Sequence, residues 1–246
     1  MSADPNQRAQ YLDALGIDRY VRRQAAPQPQ AEPQPQAEPQ RPGASAIATP
    51  ERDASWGPLA TEVSGCTLCG LSVGRTQTVF GVGNTQAELL VVGEAPGAEE
   101  DRQGEPFVGR AGQLLNSMLR AMRSPRETVY IANVLKCRPP GNRDPAPDEV
   151  RSCLPYLQRQ IDLISPRLML AVGRIAAQSL LDTDTPIGKL RGAVHRFGTR
   201  GTPLVVTYHP AYLLRSPSEK RKSWADLRFV QRELAKLRES PRATAG

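Results

Sequence analysis

Four short apolar runs, "ELLVVG" (88–93), "TVYIANVL" (128–135), "RLMLAVG" (167–173) and "PLVVTYHP" (203–210), punctuate the chain beyond its N-terminal stretch. Between them apolar residues fall at helical spacing, as in "AGQLLNSMLRAM" (111–122) and "GRIAAQSLLD" (173–182). Runs this short, with no polar alternation, read as strands buried on both faces. Their alternation with helices requires right-handed crossovers and a mostly parallel sheet. The pattern therefore predicts a three-layer α/β/α domain around a central, mostly parallel four-stranded sheet. The last segment, "SPSEKRKSWADLRFVQRELAKLRE" (216–239), spaces Trp224, Leu227, Val230, Leu234 and Leu237 near one helical face. An amphipathic helix packed on the domain is expected there.

The N-terminal stretch has a different pattern. "PQPQAE" occurs twice in residues 27–38, within a segment dominated by Pro, Gln, Ala and Glu. So few apolar groups cannot offset the entropy of ordering, which predicts a disordered linker over 24–50. Ahead of it, "QRAQYLDALGIDRYVRR" places Tyr11, Leu12, Leu15 and Tyr20 roughly on one helical face. A helical arm over 1–23 is expected, either docking on a partner protein or folding back, with the folded domain over 51–246.

Composition narrows the function classes. Thirty-two Lys and Arg against 25 Asp and Glu give a formal charge of +7 in 246 residues. That balance favours a polyanionic partner, nucleic acid first. No apolar stretch has membrane-spanning length, and "MSADPNQRAQ" lacks a signal-peptide pattern. A cytoplasmic, nucleoid-associated monomer is the expectation.

In sheets of this kind ligands lie beyond the carboxyl ends of the strands. The first run opens into "GEAPGAEEDRQGEPFVGRAG" with Glu94, the second carries Asn133 into "NVLKCRPPGNR", and the fourth ends in "YHPAYLLR" with His209. These segments are expected to converge on one crevice. The loop is not a nucleotide cradle. "GEPFVGRA" has Arg110 and Ala111 where a phosphate loop needs Lys and a hydroxyl, and the first run lacks Gly-x-Gly-x-x-Gly.

The cysteines carry a sharper signal. Cys66 and Cys69 form a C-x2-C pair in the glycine-flanked "SGCTLCG", with Cys137 and Cys153 far downstream. In a cytosolic chain this points to metal ligation rather than disulfides, by zinc or an iron–sulfur cluster. Pro155 is expected to break a helix just after Cys153 and leave that cysteine at a bend.

"GEAPGAEEDRQGEPFVGRAG", "NVLKCRPPGNRDP" and "HPAYLLR", with the four cysteines, closely resemble family 4 uracil-DNA glycosylases. The resemblance runs from about Trp56 to the C-terminal helix. It implies a structural [4Fe–4S] cluster on Cys66, Cys69, Cys137 and Cys153, where spacing alone left zinc as the alternative. It implies excision of uracil flipped out of single- or double-stranded DNA, leaving an abasic site. Phe107 matches the aromatic that stacks on the base, and Asn133 matches the amide that reads its edge. His209 matches the histidine of a His-Pro motif that stabilises charge on departing uracil. Where the best-known branch of the superfamily has a water-orienting Asp this chain has Ala95, so the base is left among Glu94 and Glu100. Glu99 and Asp101 read equally well as solvated loop charge. Leu213, Leu214 and Arg215 would enter the minor groove, with Lys220, Arg221 and Lys222 on phosphates and Arg138 and Arg143 near the base. A sister branch traps uracil covalently through an inserted basic loop, and no such insertion lies between Asn142 and Pro147. His195 has no motif around it and reads as satisfied by backbone. The other class to be weighed is a non-catalytic iron–sulfur or zinc DNA-binding or polymerase accessory protein.

Overall fold

The structure, a computed structural model, describes residues 50–239. The expected arm over 1–23 and the linker up to residue 49 lie outside the described residues, as do residues 240–246.

The strands are β1 (Val82–Gly83), β2 (Leu89–Gly93), β3 (Tyr130–Asn133), β4 (Leu168–Val172), β5 (His195–Phe197) and β6 (Thr202–Thr207), in sheet order β1-β3-β2-β4-β6-β5. The four apolar runs become β2, β3, β4 and β6, which pair in parallel. The sheet is nevertheless six-stranded, which corrects the expected four. Short β1 and β5 pair antiparallel with β3 and β6 at the two edges. At two and three residues, and only partly buried, they leave no apolar run to read.

The main helices are α1 (Pro50–Ser64), α2 (Ala98–Gln103), α3 (Arg110–Ala121), α4 (Pro147–Ile164), α5 (Arg174–Leu181), α6 (Pro210–Arg215) and α7 (Lys220–Glu239). Alternate strand residues face opposite layers. Leu90, Val92, Ala132 and Ala171 pack with Leu157 and Ile161 of α4 and Ala177 and Leu180 of α5. Leu89, Val91, Ile131 and Leu170 pack with Leu115 and Leu119 of α3 and Val230 and Leu234 of α7. Both faces are thus covered, as continuous apolar strands require.

The expected break before Pro155 does not occur, since α4 continues through it to Ile164. Proline withdraws one N–H from the ladder, and the carbonyl left over belongs to Arg151, an exposed residue. The start of α4 is capped by Glu149, whose carboxylate accepts the Ala146 N–H at 2.8 Å. From β2 the chain passes to β3 on one side, then crosses through α4 to β4 on the other. That reversal opens a crevice at the carboxyl ends.

Candidate active site

The ends of β2, β3, β4 and β6 open onto one crevice of about 750 Å³. Glu94, Ala95, Glu100, Phe107, Asn133, Arg143, His209 and Arg215 all line it, so the three segments meet as their positions predicted.

Asn133 ends β3 and is 2 % exposed. Its Oδ1 is buried with no hydrogen-bond partner among the described residues. A buried amide oxygen in that state loses the free energy of an unmade hydrogen bond, unless something entering the crevice supplies the donor. Gly93, directly across on β2, makes room for it. A Cβ there would lie 2.4 Å from Asn133 Oδ1 and 2.5 Å from Phe107 Cζ. No side chain larger than hydrogen fits beside both groups.

Phe107 is held in a left-handed conformation, φ 55°, which favours glycine over a bulky residue. Neighbours impose it. Arg126 donates to Pro106 O at 2.6 Å, Phe107 O at 3.4 Å and Glu105 Oε1 at 2.7 Å. Glu100 Oε1 accepts the Val108 and Gly109 N–H groups, both at 3.0 Å. A Cβ at Gly112 would stand 1.8 Å from Phe107 O, so α3 can begin beneath the loop only with glycine there.

Glu100, expected as a candidate base, therefore has one carboxylate oxygen committed to the loop that leads into α3. Asp101, read as solvated as readily as not, is 4 % exposed and accepts the Thr76 N–H at 3.0 and 3.1 Å. Glu99 is exposed and pairs with Arg102, as a solvated charge does.

His209 caps α6. Its Nδ1 accepts the Ala211 N–H at 3.1 Å, which leaves the ring proton on Nε2. Burial, and secondarily the nearby Arg215 charge, pulls its pKa down to about 4, so the ring is neutral near pH 7. Its ring centroid is 5.7 Å from that of Phe107. Tyr208, one residue earlier, is stacked beneath Arg191 at 4.3 Å, and Arg191 in turn pairs with Asp226 at 2.7 and 2.9 Å. Thr207 Oγ1 also donates to Asp226, so the strand end carrying His209 is pinned from α7.

Glu94 follows Gly93 into the crevice. Burial, with the Asp144 charge adding to it against Arg174, pushes its carboxyl up to about 7. A carboxyl poised there can hold or release a proton near neutrality.

The residues expected to grip DNA divide. Leu213 does not fit the expectation, because it is 1 % exposed and packs in the α3–α7 core. One face of α6 must turn inward, and Leu213 lies on it. Leu214 is 36 % exposed, and Arg215 lies exposed on the crevice wall. Lys220, Arg221 and Lys222 are exposed at the start of α7, with Lys222 paired to Glu219 at 2.9 Å. Arg143 reaches the crevice, but its guanidinium is held bidentate by Glu149 at 2.6 and 2.8 Å. Arg138 is half-buried and donates to Asn142 Oδ1 at 2.8 Å. His195 is paired with Leu190 O at 2.7 Å, in keeping with its backbone reading.

The four cysteines come together around one pocket between α1, the segment after β3 and α4. Arg75 donates to Cys137 Sγ at 3.1 Å, and the Lys136 N–H donates to Cys153 Sγ at 3.2 Å. Burial pushes the Cys153 thiol up to about 11. Among the described residues no three His, Cys, Asp or Glu side chains are arranged to hold a metal ion.

Sequence reading missed Gly93, Gly112, Arg126 and Lys136. A glycine closing an apolar run, and a lysine inside the apolar "NVLKC", were the available signals.

No helix among the described residues is long and apolar enough to cross a membrane. The model of the uracil DNA glycosylase superfamily matches residues 80–228. The chain is similar to the type-4 uracil-DNA glycosylase of Archaeoglobus fulgidus, 45 % identical over 70 % of this chain and 89 % of that protein. It is also similar to those of Thermotoga maritima, at 44 % over 66 % and 84 %, and Sulfurisphaera tokodaii, at 41 % over 71 % and 82 %. The superfamily match spans every strand end that builds the crevice, and the relatives align over most of their own length, so the chain belongs to the uracil-DNA glycosylase superfamily, in its type-4 branch.

Proposed function

We propose that the crevice takes uracil flipped out of DNA and hydrolyses its N-glycosidic bond, leaving an abasic site. The observation that carries this reading is the buried, partnerless Oδ1 of Asn133 beside the Phe107 ring. Uracil presents a donor at N3 and an acceptor at O4, which Oδ1 and Nδ2 of one amide satisfy together. Cytosine presents the reverse and leaves both groups mispaired, a loss of about 1–3 kcal/mol for each buried group left unsatisfied. Phe107 supplies the stacking face.

As the N1–C1′ bond breaks, its electron pair passes to the uracil ring and charge grows on O2. His209, neutral with its proton on Nε2, donates to that oxygen without surrendering the proton. The sugar left behind is cation-like at C1′. Glu94 as carboxylate stabilises it and takes one proton from the water whose oxygen bonds to C1′. Leu214 and Arg215 stand at the vacated base, with Lys220 and Arg221 on phosphates. Residues 51–246 form the excision domain, with residues 1–23 as a docking arm for a protein partner.

The four cysteines would hold the iron–sulfur cluster that the family resemblance implies, with zinc as the alternative. All four thiols line one pocket, and two of them receive N–H donors that would stabilise metal-bound thiolates. When bound, the cluster supplies metal–sulfur bonds that pin α1, the segment after β3 and α4 together.

The test is release of free base from uracil-containing oligonucleotides, with thymine-containing DNA as control. Uracil release with repeated turnover is expected. Tight DNA binding without release would leave the chain a non-catalytic binding protein.

A further inference from the structure

Lys136 is among the largest fully buried side chains of the protein, at 1 % exposure. Its ammonium meets two neutral oxygens, Asn133 O at 2.9 Å and Gln160 Oε1 at 2.6 Å, and forms no ion pair among the described residues. An apolar side chain of similar volume would fill this position without the desolvation of a charge. The charge and its donors therefore need a reason.

The surroundings supply one. The Lys136 main-chain N–H donates to Cys153 Sγ, and the next residue is Cys137, so lysine sits between two of the four thiols. Cys153 and Gln160 are seven residues apart on α4, two turns along one face. That helix thus holds Lys136 at both ends, by its main chain through Cys153 and by its ammonium through Gln160. Gln160 is itself anchored, donating to Phe80 O at 3.0 Å. The remaining ammonium contact goes to the main-chain carbonyl of the residue whose side chain lies open to the crevice.

We propose that Lys136 is a positioning residue that locks the base-reading Asn133 onto the four-cysteine site, its cation serving as countercharge to the thiolate-bound metal group. A metal group carried on four thiolates brings net negative charge beside the buried ammonium, which offsets the desolvation that neutral oxygens alone leave uncompensated. Loading of the cysteine site then holds Cys153 and α4 in place. Through Lys136 they hold the end of β3, although no cysteine touches the base. The inference rests on the reading of Asn133 as the group that recognises uracil.

The experiment is a double-mutant cycle in the full-length, iron-loaded protein. Lys136→Met, Asn133→Ala and the double variant are compared by single-turnover excision, with affinity for abasic-site DNA as a control independent of base reading. Lys136→Met is expected to slow excision roughly 30-fold in the otherwise native protein but less than about threefold in the Asn133→Ala background, because it acts through that residue. Abasic-site affinity should stay within about twofold of normal, and iron should pass to excess chelator at least about fivefold faster. Losses that multiply across the two backgrounds, an unchanged rate, or unchanged iron release would each overturn the inference. A normal rate for Asn133→Ala alone would overturn the reading of the crevice instead. If Lys136→Met does not fold, Lys136→Arg keeps the cation and its donors while misplacing them. Its smaller loss must likewise disappear in the Asn133→Ala background, and a multiplied loss counts against the inference.

Discussion

Asn133 and His209 stand at the ends of different strands and in the proposed reading meet different atoms of the base, so their replacements should fail differently. Asn133→Asp keeps the shape of the side chain but turns its donor into an acceptor. It should slow uracil excision roughly tenfold to a hundredfold and raise excision of cytosine, whose amine suits the carboxylate. His209→Ala should lower the single-turnover rate roughly ten- to a thousandfold with DNA affinity little changed. Rates and affinities on matched uracil and cytosine oligonucleotides separate the two, and full uracil selectivity in Asn133→Asp would exclude the assigned role. Glu94 governs pH. Its carboxyl, raised from 4.5 to about 7 by burial and the Asp144 charge against Arg174, must be ionised to assist water. Excision should therefore fall as pH drops below about 7, with no separate contribution from His209, which is already neutral there. Stability runs the other way. The native state holds the Glu94 proton between the unfolded value of 4.5 and about 7, so that stability is fully present below 4.5 and lost as pH rises through 7. Glu94→Gln, which mimics the protonated form, should raise Tm near pH 8 more than near pH 5 while slowing excision throughout. The residues that line the crevice were legible in the sequence because motifs place them at strand ends. Gly93 was not, because what demands a glycine is the approach of Asn133 and Phe107 from elsewhere in the chain.

At the scale of elements, the segment from Glu105 to Gly109 is a strained loop clamped from three sides. A left-handed Phe107 costs about 1–2 kcal/mol relative to an extended or helical backbone, and Arg126 and Glu100 offset it through hydrogen bonds to the loop backbone. Arg126→Ala releases two of those contacts and the Glu105 ion pair, and should slow excision roughly tenfold, by misplacing the stacking ring, with a lower Tm. Glu100→Gln distinguishes a loop holder from a base. Its amide oxygen can still accept from Val108 and Gly109, so a rate within about threefold of normal is expected, against a far larger loss for Glu94→Gln. Comparable losses for both would return Glu100 to the chemistry. The strands that build the crevice were readable because each is a continuous apolar run. The edge strands and the unbroken α4 were not, since a three-residue pairing and a proline whose orphaned carbonyl belongs to an exposed residue leave no periodic trace.

Over the whole molecule, the four cysteines meet around one pocket from parts of the chain that the sheet alone does not fasten. Cys66 and Cys69 follow α1, Cys137 follows β3, and Cys153 lies within α4. The spacing made the meeting of the four thiols legible but names no metal, because a C-x2-C pair with two distant thiols suits either zinc or a cluster. Burial makes the Cys137 and Cys153 thiolates unfavourable without a cation, and Arg75 supplies only one guanidinium at Cys137. With the proposed cluster bound, metal binding and folding would be coupled. Cys137→Ala removes one ligand and leaves Arg75 facing a cavity, so it should lose iron, visible absorbance and stability together, with Tm lower by about 5 °C or more. Excision should fall with the iron content of each preparation, because the end of β3 that carries Asn133 leads directly into Cys137. The measurement is iron and zinc per chain alongside Tm and single-turnover rate for both proteins. Colourless native protein carrying one zinc per chain would remove the cluster from the reading, and a Cys137→Ala variant with normal Tm and full excision would show that the thiols bind no structural metal at all.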